Sequence, residues 1–195
     1  MGGVGQGEDP YLAKNPDGTI YRDGAGRALM FTEEKDFDVH RGILLWRSGV
    51  NTLEDWTLFG RVLDRGAAGT WSATDVTSPT VIHDGNRLVM LFEGRNMPAQ
   101  QGEIGIAWSY DDGESFTVAA EPIVARGDQG GWNATAVVPD ELVKVDDKWV
   151  LLVHAQGSGA NFFPGRYLTT DDPAEWAAGS FTDPSGTRSP TRPTR

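Results

Sequence analysis

Residues Trp71 to Phe116 read WSATDVTSPTVIHDGNRLVMLFEGRNMPAQQGEIGIAWSYDDGESF, and the fold is decided there. An apolar run, Thr80 to Ile82, passes through the turn His83-Asp84-Gly85-Asn86 into a second run, Leu88 to Phe92. A polar loop follows. A third run, Ile104 to Trp108, then leads to the turn Asp111-Asp112-Gly113 and a short fourth segment, Phe116 to Ala119. Short runs rich in Val, Ile, Leu and aromatics, bounded by Asp, Asn and Gly, predict strands joined by hairpins. Four of them make one small antiparallel sheet.

Outward from this stretch the pattern repeats. Trp71-Ser-Ala-Thr returns as Trp132-Asn-Ala-Thr, and Arg87 to Glu93 returns as Lys148 to His154 and, upstream, as Arg27 to Glu33. Phe116 has counterparts in Trp56 and Trp176, 60 residues away on each side. The chain therefore divides into three four-stranded units near 9–60, 61–122 and 123–184, within a single domain 1–184. A tail at 185–195, built only of Ser, Thr, Pro and Arg apart from Gly186, is expected to be disordered.

A repeated four-stranded unit of this length is the sequence form of a β-propeller blade. Leu88 to Phe92 and Trp149 to Val153 are nearly continuous apolar runs, as expected of strands covered on both faces. The expectation is an all-β chain, a β-propeller of four-stranded antiparallel blades with about three present. A β-sandwich with coincident spacing is the competing architecture. Propellers usually close with 4–8 blades, so three units suggest part of a five-bladed ring, and open blade faces would favour self-association.

Composition narrows the partners. The net charge of −11 argues against nucleic acid and acidic membranes. No apolar stretch approaches the roughly 20 residues of a membrane span. There is no cysteine, hence no disulfide or thiolate chemistry. Met1 to Gln6 is Gly-rich and uncharged, unlike a signal peptide, and the compartment is undetermined; a secreted parent protein stays open.

In such a blade the first strand starts, and the second strand ends, at the same rim. That rim collects Glu8, Asp9, Asp75, Asp140 and Glu141 from strand starts, and Glu33, Glu34, Glu93, Arg95 and His154 from strand ends. The loops after the second strands, Glu34 to Arg41, Gly94 to Gly102 and Ala155 to Gly165, belong to it too. Carboxylates around a central opening suit glycoside hydrolysis, where one acid protonates the leaving oxygen and one carboxylate activates water or attacks the sugar. Asp75 stands where the next unit has Ala136, so the repeat itself does not require a carboxylate there. Arg41 and Arg95 are candidates for gripping hydroxyls, and Trp132 for stacking on a sugar ring. His154 and Asp140 complete the candidate binding set. No cofactor is expected; a central structural cation such as calcium, with His154 near it, stays open.

At these residues the chain resembles the five-bladed propeller glycosidases typified by glycoside hydrolase family 43 and the invertase-like families. Asp9-Pro10 is similar to their first-blade Asp-Pro. Ser78-Pro79-Thr80-Val81-Ile82, with Arg87 to Phe92, resembles their second blade, and Gly105 to Ser109 their third strand and turn. The resemblance implies that Asp9 is the base or nucleophile. It implies a pKa-tuning aspartate after Pro79, where Thr80 stands, with Asp75 nearby. It implies a glutamate acid in the third blade, for which Glu141 is nearest; Glu93, on the rim of the second, is the other candidate acid. Ser109 to Phe116 also fits the Asp-box of sialidases, a hairpin staple. The function expected is hydrolysis of a neutral oligo- or polysaccharide. The alternatives are a carbohydrate-binding propeller that cuts nothing, a sialidase-like propeller, and a scaffold for protein contacts.

Overall fold

The computed structural model describes residues 7–35, 40–96, 101–127, 134–146, 148–157 and 162–170. Among them there are strands and turns and no helix. β1 (Gly7–Leu12), β2 (Arg27–Lys35), β3 (Arg41–Val50) and β4 (Thr57–Leu63) form a four-stranded antiparallel sheet in sequence order. β5 (Asp75–Asp84), β6 (Arg87–Asn96), β7 (Gln101–Ser109) and the two-residue β8 (Thr117–Val118) repeat it. β9 (Ala136–Val145), β10 (Lys148–Gln156) and β11 (Phe162–Thr170) follow the same antiparallel order. The second and third sheets meet through one parallel pair, Gly102 with Ala136. This is the blade arrangement of a β-propeller. Trp132, Trp176 and the segment 185–195 lie outside the described residues.

The apolar runs are explained by what lies on each side of them. β6 sends Leu88, Met90 and Phe92 into a core shared with Leu29, Phe31, Ile43 and Leu45 of the first blade. It sends Val89 and Leu91 into a second core with Val137, Leu142, Trp149, Leu151 and Val153 of the third. Each such side chain contributes about 1.5–3 kcal/mol on full burial. Both faces being dry, no polar residue interrupts the run. β10 differs: Leu151 is fully buried, while its neighbour Leu152 on the other face is 41% exposed.

The strands extend beyond the apolar runs into polar sequence. β5 begins at Asp75, not Thr80, and β6 continues to Asn96. Asp9, Asp140 and Glu141, expected at strand starts, lie inside β1 and β9, and Pro10 and Pro79 likewise lie inside strands, at bulges. Thr77 pairs with Glu93 and Thr80 with Leu91, so Ser78 and Pro79 together face the single Phe92. Glu8 pairs with Glu33 and Tyr11 with Phe31, so Asp9 and Pro10 face Thr32 in the same way. Pro is tolerated because a bulge takes its residue out of the ladder. Asp9 (φ 46°) and Ser78 (φ 51°) are both left-handed. In the third blade the register slips at Asp140. The bulges thus fix equivalent positions: Glu33, Glu93 and His154 share one slot, and Tyr11, Thr80 and Glu141 another.

The insertion between β1 and β2 ties the first blade to the second. Lys14 N–H donates to Val81 O (3.2 Å), and His83 N–H donates to Lys14 O (2.7 Å). Tyr21 stacks on His83 and its hydroxyl donates to Asp112 (2.7 Å). Asp112 belongs to the Ser109–Phe116 turn, which is closed internally: Ser109 donates to Asp111 (2.7 Å) and accepts Gly113 N–H (2.9 Å). Trp71 lies over Phe92, where a Cβ on Gly105 would come within 2.3 Å of its ring. It is a packing residue.

Candidate active site

At the rim where β5 starts and β2 and β6 end, carboxylates and arginines gather in the seams between blades. In the first seam Glu33 accepts the backbone N–H of Ser78 (2.6 Å) and the guanidinium of Arg41 (2.9 Å). The backbone N–H of Arg41 donates to Asp75 Oδ1 (2.8 Å). In the second blade Glu93 accepts from the Thr77 hydroxyl (3.0 Å) and Arg95 (2.6 Å). Its other oxygen rests on Gly102, where a Cβ would come within 2.0 Å. Asp75 pairs with Arg95 across β5 and β6, which brings the two arginines to the same group of acids.

Burial sorts these residues into two layers. Glu33 and Glu93 are each 1% exposed and Asp75 8%, whereas the Arg41 and Arg95 side chains are about one-third exposed and Asp9 is exposed. The buried acids anchor the arginines, and the arginines and Asp9 meet solvent. Burial raises the Glu33 carboxyl above the ordinary range; the Ser78 N–H and Arg41 oppose this, and the Asp9 charge adds to it. For Arg95, burial works against the charge, but Glu93 foremost, then Glu33 and Asp75, hold its pKa up.

The third blade presents a different pair. His154 occupies the slot of Glu33 and Glu93, yet it is half-exposed and its Nδ1 lies 2.6 Å from Asp140 Oδ1. An imidazole fixed by a carboxylate on one nitrogen has the other available for proton transfer or hydrogen bonding. Glu141 follows a separate course: Oε1 accepts the Tyr11 hydroxyl and Oε2 pairs with Lys14 Nζ (2.7 Å). Both Glu141 oxygens are thus engaged, with partners other than those of Glu33 and Asp75. Among the described residues, no group of three or more His, Asp or Glu is arranged to hold a metal ion.

Of the residues nominated from sequence, Asp9, Asp75, Glu93, Arg41 and Arg95 come together, His154 and Asp140 pair, and Glu141 joins Tyr11 and Lys14. Trp132 is outside the described residues. Glu33, placed on the rim but given no role, and Ser78, quoted only as part of a blade motif, are central to the first seam. The shared slot of Glu33 and Glu93 was the available signal for the former.

No family model matches the sequence, and no curated protein matches it. Solved structures do. Zg3597, a family 117 glycoside hydrolase from the marine bacterium Zobellia galactanivorans, aligns with a TM-score of 0.72 at 12% identity, over 93% of this chain and 56% of that one. Fructan 1-exohydrolase IIa from Cichorium intybus gives 0.65 at 12%, over 88% and 31%. The β-1,2-mannobiose phosphorylase of Listeria innocua gives 0.62 at 13%, over 85% and 41%. The chain spans about half or less of the length of these three proteins. At such identities the likeness is one of fold, and the fold of this chain is accordingly a β-propeller, carried in part.

Proposed function

We propose that this chain is part of a glycoside hydrolase acting on a neutral oligo- or polysaccharide, its blades belonging to a five-bladed ring. Asp9 is the base or nucleophile. One observation supports this assignment above others: of the four acids nominated for catalysis, Asp9 is the exposed one, close enough to the Arg41-bound Glu33 for its charge to act on that carboxyl. Arg41 and Arg95 hold substrate hydroxyls, and Glu33, Asp75 and Glu93 hold the arginines. The proton donor is the Asp140–His154 pair, the more exposed group, next in sequence to Glu141, which bonds Tyr11 of the first blade. Either water attacks the anomeric carbon and loses its proton to Asp9, or Asp9 attacks to form a glycosyl ester that water, deprotonated by the same pair, then cleaves; in both, the glycosidic bond breaks and the leaving oxygen takes a proton from the Asp140–His154 pair.

Asp9→Asn tests the reading. The variant keeps its fold, because Asp9 is exposed, and loses aryl-glycoside hydrolysis by about 100-fold or more. Retained hydrolysis refutes the role.

A second reading, a carbohydrate-binding propeller without turnover, is favoured by the burial of Glu33, Asp75 and Glu93 behind the arginines. Glycan binding by the wild-type protein with no hydrolysis of any bound glycan decides for it.

A further inference from the structure

Tyr11, Lys14 and Glu141 form a polar cluster that the proposed chemistry does not use. Tyr11 and Glu141 are 130 residues apart, on the first and third blades, and their side chains hydrogen-bond directly. Lys14 completes the cluster, 2.7 Å from Glu141 and 5.0 Å above the Tyr11 ring. Lys14 is also bound through its backbone to Val81 and His83 of the second blade. All three blades therefore meet at one set of side chains. The Tyr11 hydroxyl is held in its protonated, donating form by burial first and by the Glu141 carboxylate second.

The position of this cluster in the chain gives it a consequence. Tyr11 is two residues past Asp9, and Glu141 is the residue after Asp140. Both contacts sit immediately beyond the bulges that carry those acids. A link between Tyr11 and Glu141 thus sets the two bulges opposite each other at a fixed spacing. In glycoside hydrolysis that spacing has chemical weight, since about 5–5.5 Å between the two groups leads to retention and about 6.5–9.5 Å to inversion.

We propose that Tyr11, Lys14 and Glu141 are positioning residues, a clamp between the first and third blades that sets the gap between Asp9 and the Asp140–His154 pair. Its catalytic consequence rests on the hydrolase reading; the clamp itself does not. Glu141 is then no proton donor.

The test has two arms. The protein lacks cysteine, so spin labels can be attached through Val50→Cys and Val145→Cys, exposed sites on the first and third blades. Tyr11→Phe and Glu141→Gln, each made in that background, are expected to lengthen and broaden the label distance, and the double variant to do no more than either alone. An unchanged distance in both overturns the clamp. In the second arm, both variants lower kcat on aryl glycosides about tenfold to hundredfold with little change in KM, equally for activated and unactivated leaving groups. Loss in Glu141→Gln confined to unactivated leaving groups, with Tyr11→Phe at the wild-type rate, makes Glu141 the proton donor and overturns the assignment. If the distances shift as expected while the wild type hydrolyses no glycoside, the clamp stands and the hydrolase reading falls.

Discussion

Glu33 in the first blade accepts the backbone N–H of Ser78 in the second at 2.6 Å, and both residues owe their positions to bulges. The second blade's bulge takes Ser78 out of its own ladder, so its N–H is free to serve a neighbour. The first blade's bulge brings Glu33 opposite Glu8 rather than one residue further on. An irregularity in each sheet thus becomes the polar joint between two sheets.

That joint makes stability depend on pH in a definite direction. Burial, with Asp9 adding to it, raises the Glu33 pKa in the folded chain. A raised carboxyl contributes stability that is fully present below the ordinary Glu range and is lost as pH rises through the folded value. Glu33→Gln removes this titration. The difference in Tm, variant minus wild type, is therefore expected to increase with pH above the ordinary Glu range. Thermal melts at a series of pH values check this; a difference that falls with pH contradicts it.

Ser78 carries backbone strain that glycine would not. Its φ of 51° is disfavoured for a residue with a Cβ, the more so before proline. The side chain contributes only a 3.4 Å contact to Glu33. Ser78→Gly is expected to stabilise by about 1 kcal/mol, with Ser78→Ala giving no such gain. Urea denaturation of the pair measures the difference.

Gly102 leaves the space that Glu93 occupies. Gly102→Ala would drive a methyl group into Glu93 Oε1 and crowd Ala136, the contact between the second and third blades. The expected cost is about 1–3 kcal/mol, with Arg95 losing its anchor. Gly24→Ala, where nothing lies within 4 Å, is the control and is expected to be neutral or mildly stabilising.

Leu91 and Leu152 occupy one slot of the repeat and differ in what covers them. Leu91 is fully buried between blades, and Leu152 is 41% exposed. Leu91→Ala is expected to cost about 2–5 kcal/mol. In this chain Leu152→Ala is expected to change stability by no more than about 0.5 kcal/mol. Equal costs in denaturant titrations would show that Leu152 is covered after all.

The blade order and the central strands were legible because dry faces leave a simple record: Leu88 to Phe92 contains no polar residue. The slots matching Asp9-Pro10 to Ser78-Pro79, and Glu33 to Glu93 and His154, were legible from the repeat. The strand ends were not. Asp75, Thr77 and Glu93 are buried by ion pairs and hydrogen bonds, and polar residues buried this way read in sequence like a solvated loop. The direction of Glu141 was equally hidden, since one residue beyond a bulge its side chain meets Tyr11, 130 positions away. Sequence periodicity reports apolar neighbours and says nothing of which acid a distant tyrosine will reach.

β6 divides its side chains between two partners, and this constrains how such a chain can change over generations. A blade exchanged for one from a distant homologue would have to satisfy two unrelated surfaces in a single event. An in-frame duplication faces a smaller barrier, because both outer faces keep their old neighbours and only the seam between the copy and its original is new. Growth by copying, followed by paired substitutions across each seam, is the route this architecture leaves open.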